Sequence, residues 1–252
     1  MGRNDLCFCG SGIKIKKCHP DINEKSIIAS LFKKYSEFDK LCLQANTPCA
    51  EGCSKCCHDY FYVSEVEYFG IAYYVKARGL DQSKIKEKAR VILQEIEEKH
   101  PQEAKILRTT MSVQKTVDFS NEEFDDNRIR ALMHDCPFLD EEKKTCLVYP
   151  VRPFICRGYG SHQFFGGCEK CKKHDMCNSE IFPSLLTENV DIFRLHEESS
   201  FYVRPYPLAE WILFRGFDNS PKFIKSINEG IDHYIQFALF ANGLRNNSEI
   251  LS

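Results

Sequence analysis

The sequence predicts a mainly α protein: a helical domain built around a cysteine-rich, loop-rich metal site, plus a small N-terminal zinc module. Three observations carry this expectation. Apolar residues recur near a period of 3.6 over several long stretches, whereas strand-like runs are limited to Phe61-Tyr-Val and Phe201-Tyr-Val. Fourteen cysteines fall largely into dense groups. Between residues 136 and 177, six of them share a stretch with Pro137, Pro150, Pro153, Gly158, Gly160, Gly166 and Gly167, a density of breakers that predicts a loop with little regular structure.

Composition bounds what the chain can be. A hydrophobic fraction of 43% with 28% charged residues is that of an ordinary globular protein. A formal charge of -2 argues against a dedicated nucleic-acid binder, so no DNA partner is expected. No run of 18 apolar residues is present, which predicts no membrane-spanning helix. The polar start Met1-Gly-Arg-Asn-Asp-Leu6 lacks the apolar core of a secretory signal, and a cytoplasmic location follows as the expectation. In a reducing compartment disulfides are rare, so clustered thiols point to metal, with disulfide bridging as the competing reading.

In chain order, the first element is Cys7-Phe-Cys9-Gly-Ser-Gly12, followed by Lys16-Lys-Cys18-His19. Three thiolates and one imidazole satisfy the tetrahedral preference of structural zinc. Gly10-Ser11-Gly12 lets the backbone turn and return the second ligand pair to the first. So short a piece has almost no core of its own, and the metal must supply most of its folding energy. Lys14, Lys16 and Lys17 make it locally basic.

Residues 23–45 read as an amphipathic helix with Ile27, Ile28, Leu31, Phe32, Tyr35, Phe38 and Leu41 on its apolar face and Asp21 or Asn23 as N-cap. Cys42, near its end, reads as a small core hydrophobe. Ser64-Glu-Val-Glu67 is a capping box that opens a second helix, closed at Gly79. A third starts near Asp81 or Ser83 with Ile85, Ala89, Ile92, Leu93 and Ile96 on one face, and Pro101 lies just beyond its end. Residues 102–134 read as two helical pieces divided around Asp118–Asn121, and helical patterns return at Leu208–Phe217 and Ile224–Leu244.

The remaining cysteines stand in three settings. Cys49, Cys53, Cys56 and Cys57 lie within nine residues; Cys136, Cys146 and Cys156 follow far downstream; Cys168, Cys171 and Cys177 close the series. A four-iron cluster takes four thiolates and so does structural zinc, so ten cysteines suffice for two sites, or for one with spare thiols. Zinc and iron–sulfur both accept all-thiolate sites, and the adjacent pair Cys56-Cys57 with the surplus of thiols leans toward iron–sulfur. Arg152 and Arg157 flank the last thiolates, either as counter-charges to a thiolate cluster or as partners of surface carboxylates. His58, His134, His162 and His174 lie near cysteines and can substitute as ligands, although a lone histidine is more often structural.

Two resemblances sharpen these readings. Residues 1–20, with Gly2-Arg-Asn-Asp-Leu-Cys7-Phe-Cys9-Gly-Ser-Gly12 and Lys17-Cys18-His19, closely resemble the SEC-C motif, departing at Leu6, Phe8 and Ile13 without losing a ligand. The resemblance implies zinc on Cys7, Cys9, Cys18 and His19, in either a docking piece for another protein or a staple with no partner. Residues 49–160 resemble the YkgJ-like cysteine-cluster family of zinc- or iron-chelating proteins. The matching stretches are Cys53-Ser-Lys-Cys56-Cys57, Cys136-Pro-Phe-Leu139, Cys146-Leu-Val-Tyr149, Arg152-Pro153 and Cys156-Arg157. The Cys49–Cys53 spacing departs from the family pattern by one residue. Together these imply a zinc motif over 1–20 and a helical cysteine-cluster domain over 21–252 with its metal-binding core at 49–177. Some relatives of that family are flagellin lysine N-methylases, which implies an iron–sulfur-dependent enzyme as the alternative. No glycine-rich cofactor loop accompanies it.

Overall fold

Helix signals written into the sequence become helices at nearly every place the chain is described. The computed structural model describes residues 4–7, 9, 11–44, 54, 56–112, 121–158 and 205–217, with side chains described only to residue 40 in the stretch ending at 44. It is mainly α with little sheet, as expected.

The chain begins with a tight turn in which Leu6 bridges Lys14 antiparallel, Cys7 N–H donates to Ile13 O at 2.8 Å and Ile15 N–H to Asp5 O at 3.0 Å. Gly12, at φ 71°, takes the left-handed step that the reversal needs. One turn of helix follows, α1 (Ile15–Cys18), and then α2 (Ile27–Gln44). Neither Asp21 nor Asn23 caps α2. The cap is Ser26, fully buried, whose Oγ accepts from Ala29 N–H at 3.2 Å, while Asn23 Oδ1 takes Lys25 N–H one turn earlier. Ser26 stands immediately before the helix, three residues from the Ala29 N–H that has no partner within the first turn, and so takes the cap from Asn23.

β1 (Tyr62–Val63) leads into α3 (Glu65–Ala77), which opens on the expected capping box of Ser64 and Glu67. It closes in a Schellman arrangement: Leu80 N–H donates to Val75 O, Gly79 N–H to Lys76 O, and Gly79 sits at φ 60°. α4 (Gln82–Lys99) is capped by Asp81, whose Oδ1 accepts from Ser83 and Lys84 N–H at 3.0 Å. α5 (Pro101–Ser112) starts on Pro101 itself, where the missing N–H costs nothing. α6 (Asp126–Arg130) is capped by Asp125. The expected division around Asp118–Asn121 lies outside the described residues apart from Asn121.

Residues 136–158 depart from expectation. Instead of irregular loop, β2 (Leu139–Asp140) pairs antiparallel with β3 (Thr145–Cys146), a 3₁₀ turn spans Tyr149–Val151, and α7 covers Phe154–Gly158. The hairpin turn is Glu141-Glu-Lys-Lys144, with no Gly or Asn to betray it. Asp140 Oδ1 holds Glu142 and Lys143 N–H, and Lys144 takes the left-handed φ of 54°. Residues 159–177 lie outside the described residues, as do Phe201-Tyr-Val and the expected helix Ile224–Leu244.

β4 (Tyr206–Pro207) pairs with β1, and α8 (Leu208–Phe214) packs on α4 and α3. Trp211, fully buried, donates from Nε1 to Val63 O at 2.8 Å, stacks on Tyr68 and meets the Tyr206 ring edge-on. α2 packs along α3, where Gly70 lets the helices close: a Cβ there would come 3.1 Å from Leu31 Cδ2. α7 lies against α2, with Phe38 and Phe154 ring centroids 4.1 Å apart. α2 therefore touches both the N-terminal turn and the α7 segment that bears Cys156.

Candidate metal centres

The N-terminal turn presents Cys7 and Cys9, and α1 ends on Cys18 with His19 as its C-cap. The four ligand atoms all lie within 4.8 Å of one another. Cys7 Sγ is 3.1 Å from His19 Nδ1, and Cys9 Sγ is 3.6 Å from Cys18 Sγ. Zinc bound tetrahedrally at about 2.3 Å from each sulfur puts the sulfurs roughly 3.8 Å apart, so this donor set fits a zinc ion. Burial pushes the Cys7 thiol up to about 12 and raises Cys18. Burial also opposes ionisation of Cys9, but hydrogen bonds from His19, Ser11 and Cys7 bring it down to about 6. One thiolate thus forms readily and the other two need a cation beside them.

The module's core is borrowed from the helical body. Cys7 and Ile15 are buried within the main hydrophobic cluster, and the His19 ring packs 5.2 Å from Phe32 of α2 and 6.5 Å from Tyr73 of α3. In sequence the module shows almost no core, because a twenty-residue pattern does not reveal what it leans on.

A second gathering of sulfur lies at the other end of α2. Cys56, Cys57, Cys136, Cys146 and Cys156 are half-buried and in no disulfide. Cys136 N–H donates to Cys57 O at 2.7 Å, joining the two sequence regions directly. The hairpin register sets Leu139 opposite Cys146, and Leu139 N–H returns to Cys136 O, so Cys136 and Cys146 sit at one end of the ribbon. Cys156 feels the charges of Cys56, Cys136 and Cys146. Burial drives Cys136 up to about 12 and Cys156 well above its ordinary value, with neighbouring thiolates adding to both. Cys146 is raised by burial too, against the pull of Arg152 and Arg157. Thiols crowded this way stay protonated unless a cation compensates them, which is the chemistry of a soft-metal site. The grouping is wider than the N-terminal one: among the described residues, the N-terminal four are the set of three or more such ligands that closes within 4.8 Å.

The α7 segment is held by buried polar contacts. Arg157 is 4% exposed and donates to Arg152 O at 2.8 Å, to Pro150 O at 2.6 Å and to Asp39 of α2; its guanidinium lies 4.0 Å above the Tyr35 ring. Arg152 also reaches Asp39. Both readings of these arginines therefore apply: each has a carboxylate partner, and each acts on Cys146. Glu67 is the counterpart on α3. Its Oε1 accepts from Phe154 N–H at 2.6 Å and Tyr35 O–H at 3.1 Å, and its Oε2 from Ser64 N–H and Oγ–H at 3.0 Å. The capping box picked out Glu67 from sequence, but nothing local signalled its bond to Phe154, 87 residues on.

His58 Nδ1 pairs with Asp135 Oδ1 at 2.5 Å, and His134 Nδ1 lies 3.4 Å from Glu95 Oε2. Cys49, Cys53, Cys168, Cys171, Cys177, His162 and His174 lie outside the described residues, as does the side chain of Cys42.

Comparison with known families covers both stretches of the chain. Residues 48–178 match the CxxCxxCC model, described as a "Putative zinc- or iron-chelating domain", and residues 3–19 match the SEC-C motif. No curated protein and no solved structure matches the chain.

Proposed function

The chain belongs to the CxxCxxCC family of zinc- or iron-chelating domains, and from that membership we propose that it is a cytoplasmic metal-binding protein with two centres. The first is zinc on Cys7, Cys9, Cys18 and His19. The second is a thiolate centre of zinc or iron drawing on Cys56, Cys136, Cys146 and Cys156, with Cys49, Cys53, Cys57, Cys168, Cys171 and Cys177 as further donors. One observation supports the second above the rest: Cys136 N–H bonds to Cys57 O at 2.7 Å and the hairpin sets Cys146 at the same end as Cys136, so thiols far apart in sequence share one place. Zinc and iron–sulfur both accept an all-thiolate site, and the adjacent pair Cys56-Cys57 with the surplus of thiols leans toward an iron–sulfur cluster.

The module of residues 1–20 and the body of residues 21–252 share one core, so metal at the first centre stabilises both. The outer face of the module, with exposed Leu6 and Ile13 beside Lys14, Lys16 and Lys17, suits docking on a partner protein. No helix among the described residues is long and apolar enough to cross a membrane.

Elemental analysis of full-length protein purified without oxygen tests the proposal. The expected result is one zinc together with iron and inorganic sulfide in comparable amounts. In Cys156→Ser the iron is lost and the zinc stays. Colourless protein holding zinc alone would replace the cluster with a second zinc site. A single metal per chain, indifferent to Cys156→Ser, would remove the second centre altogether.

A further inference from the structure

Resting on the second centre just proposed, we infer that its donor set is not sulfur alone: His134 supplies a nitrogen ligand through Nε2. The His134 side chain is nine-tenths buried. Its Nε2 is fully enclosed and has no hydrogen-bond partner. A buried imidazole nitrogen left without a partner costs roughly 1–3 kcal/mol, and a native structure keeps one only where something occupies it.

The other ring nitrogen bears on what that something is. Nδ1 lies 3.4 Å from Glu95 Oε2, a contact that favours the proton on Nδ1 and leaves the Nε2 lone pair for another partner. Carboxylate to Nδ1–H, with Nε2 turned elsewhere, is the arrangement that orients metal-ligating histidines and raises their basicity. Glu95 is itself fixed by Lys99 one turn on in α4.

Position ties this nitrogen to the sulfur group. His134 and Cys136 line the same cleft, together with Tyr60, Phe61 and Leu208. The segment is anchored by the Cys136 N–H bond to Cys57 O, and Cys136 in turn senses Cys146 and Cys56. His58, which faces the same segment, has its Nδ1 engaged with Asp135. The competing occupant of Nε2 is the Tyr60 hydroxyl, also enclosed without a partner and lining the same cleft, or a water molecule that bridges the two.

The test uses full-length protein labelled with ¹⁵N-histidine in a His19→Cys background, which keeps four ligands at the first centre but removes its imidazole. Where the second centre holds iron, pulsed EPR of the reduced protein is the readout; where it holds zinc, ¹¹³Cd exchanged into the site is read by NMR. The expected result is a single histidine nitrogen coupled to the metal, absent in His134→Ala. Glu95→Gln should keep the coupling and weaken metal retention by about 10- to 100-fold. Metal bound at the second centre with no nitrogen coupling overturns the inference and leaves the all-thiolate centre standing. No second metal at all overturns the centre itself.

Discussion

Replacing Glu67 by glutamine isolates the contact that ties α3 to the Cys156 segment. The carboxylate accepts four hydrogen bonds, two on each oxygen, and is buried. A glutamine keeps the shape but turns one acceptor into a donor. Facing Ser64, its NH₂ can donate to Oγ once that hydroxyl rotates, but Ser64 N–H is left unpaired, at a cost of about 2 kcal/mol. The bonds to Phe154 N–H and Tyr35 O–H survive with a neutral acceptor, which is roughly half as strong as a charged one. The sum is about 3 kcal/mol, a large part of the roughly 5–15 kcal/mol that holds a domain together. Urea unfolding of the metal-loaded chain, followed by the fluorescence of its one tryptophan, Trp211, measures this. The midpoint should fall with the slope unchanged, and metal should leave faster, because Phe154 N–H opens the helix that presents Cys156. Glu122→Gln, at an exposed position, is the control. A Glu67 variant within about 0.5 kcal/mol of the parent would refute the idea that this network holds the segment.

Two further outcomes are expected. Gly79→Ala should cost about 1 kcal/mol from backbone strain alone, since φ is 60° and a Cβ meets nothing within 4 Å; thermal unfolding reads it, and an unchanged midpoint would sink it. Glu210 has its carboxyl pushed up to about 6 by burial, with Glu97 adding and Arg108 opposing. Its ionisation therefore penalises the folded state fully above pH 6, and the penalty fades as pH falls toward the unfolded value near 4.5. Glu210→Gln should stabilise the protein by about 1 kcal/mol at pH 7, after allowance for partial exposure, and by nothing at pH 4. A gain equal at both pH values would show that the charge is not its cause.

Much of this protein is determined locally and is therefore legible in its sequence. The Ser64–Glu67 box, the Gly79 stop and the Asp81 cap act over three to five residues, so their residue types alone fix where helices begin and end. The N-terminal set of three cysteines and one histidine is local in the same sense, because its four members span thirteen positions and two turns bring them together. The β2–β3 hairpin is hidden because its left-handed step falls on Lys144, a residue type that does not announce one, and because its strands are too short to show alternation around the turn former Asp140. What only the tertiary structure decided is the company these pieces keep. Asp39 meets Arg152 and Arg157 more than a hundred residues away, Glu67 meets Phe154, and Trp211 reaches back to Val63. Such pairings depend on how the helices stack on one another, a global minimum of burial and hydrogen bonding that no short window of sequence encodes.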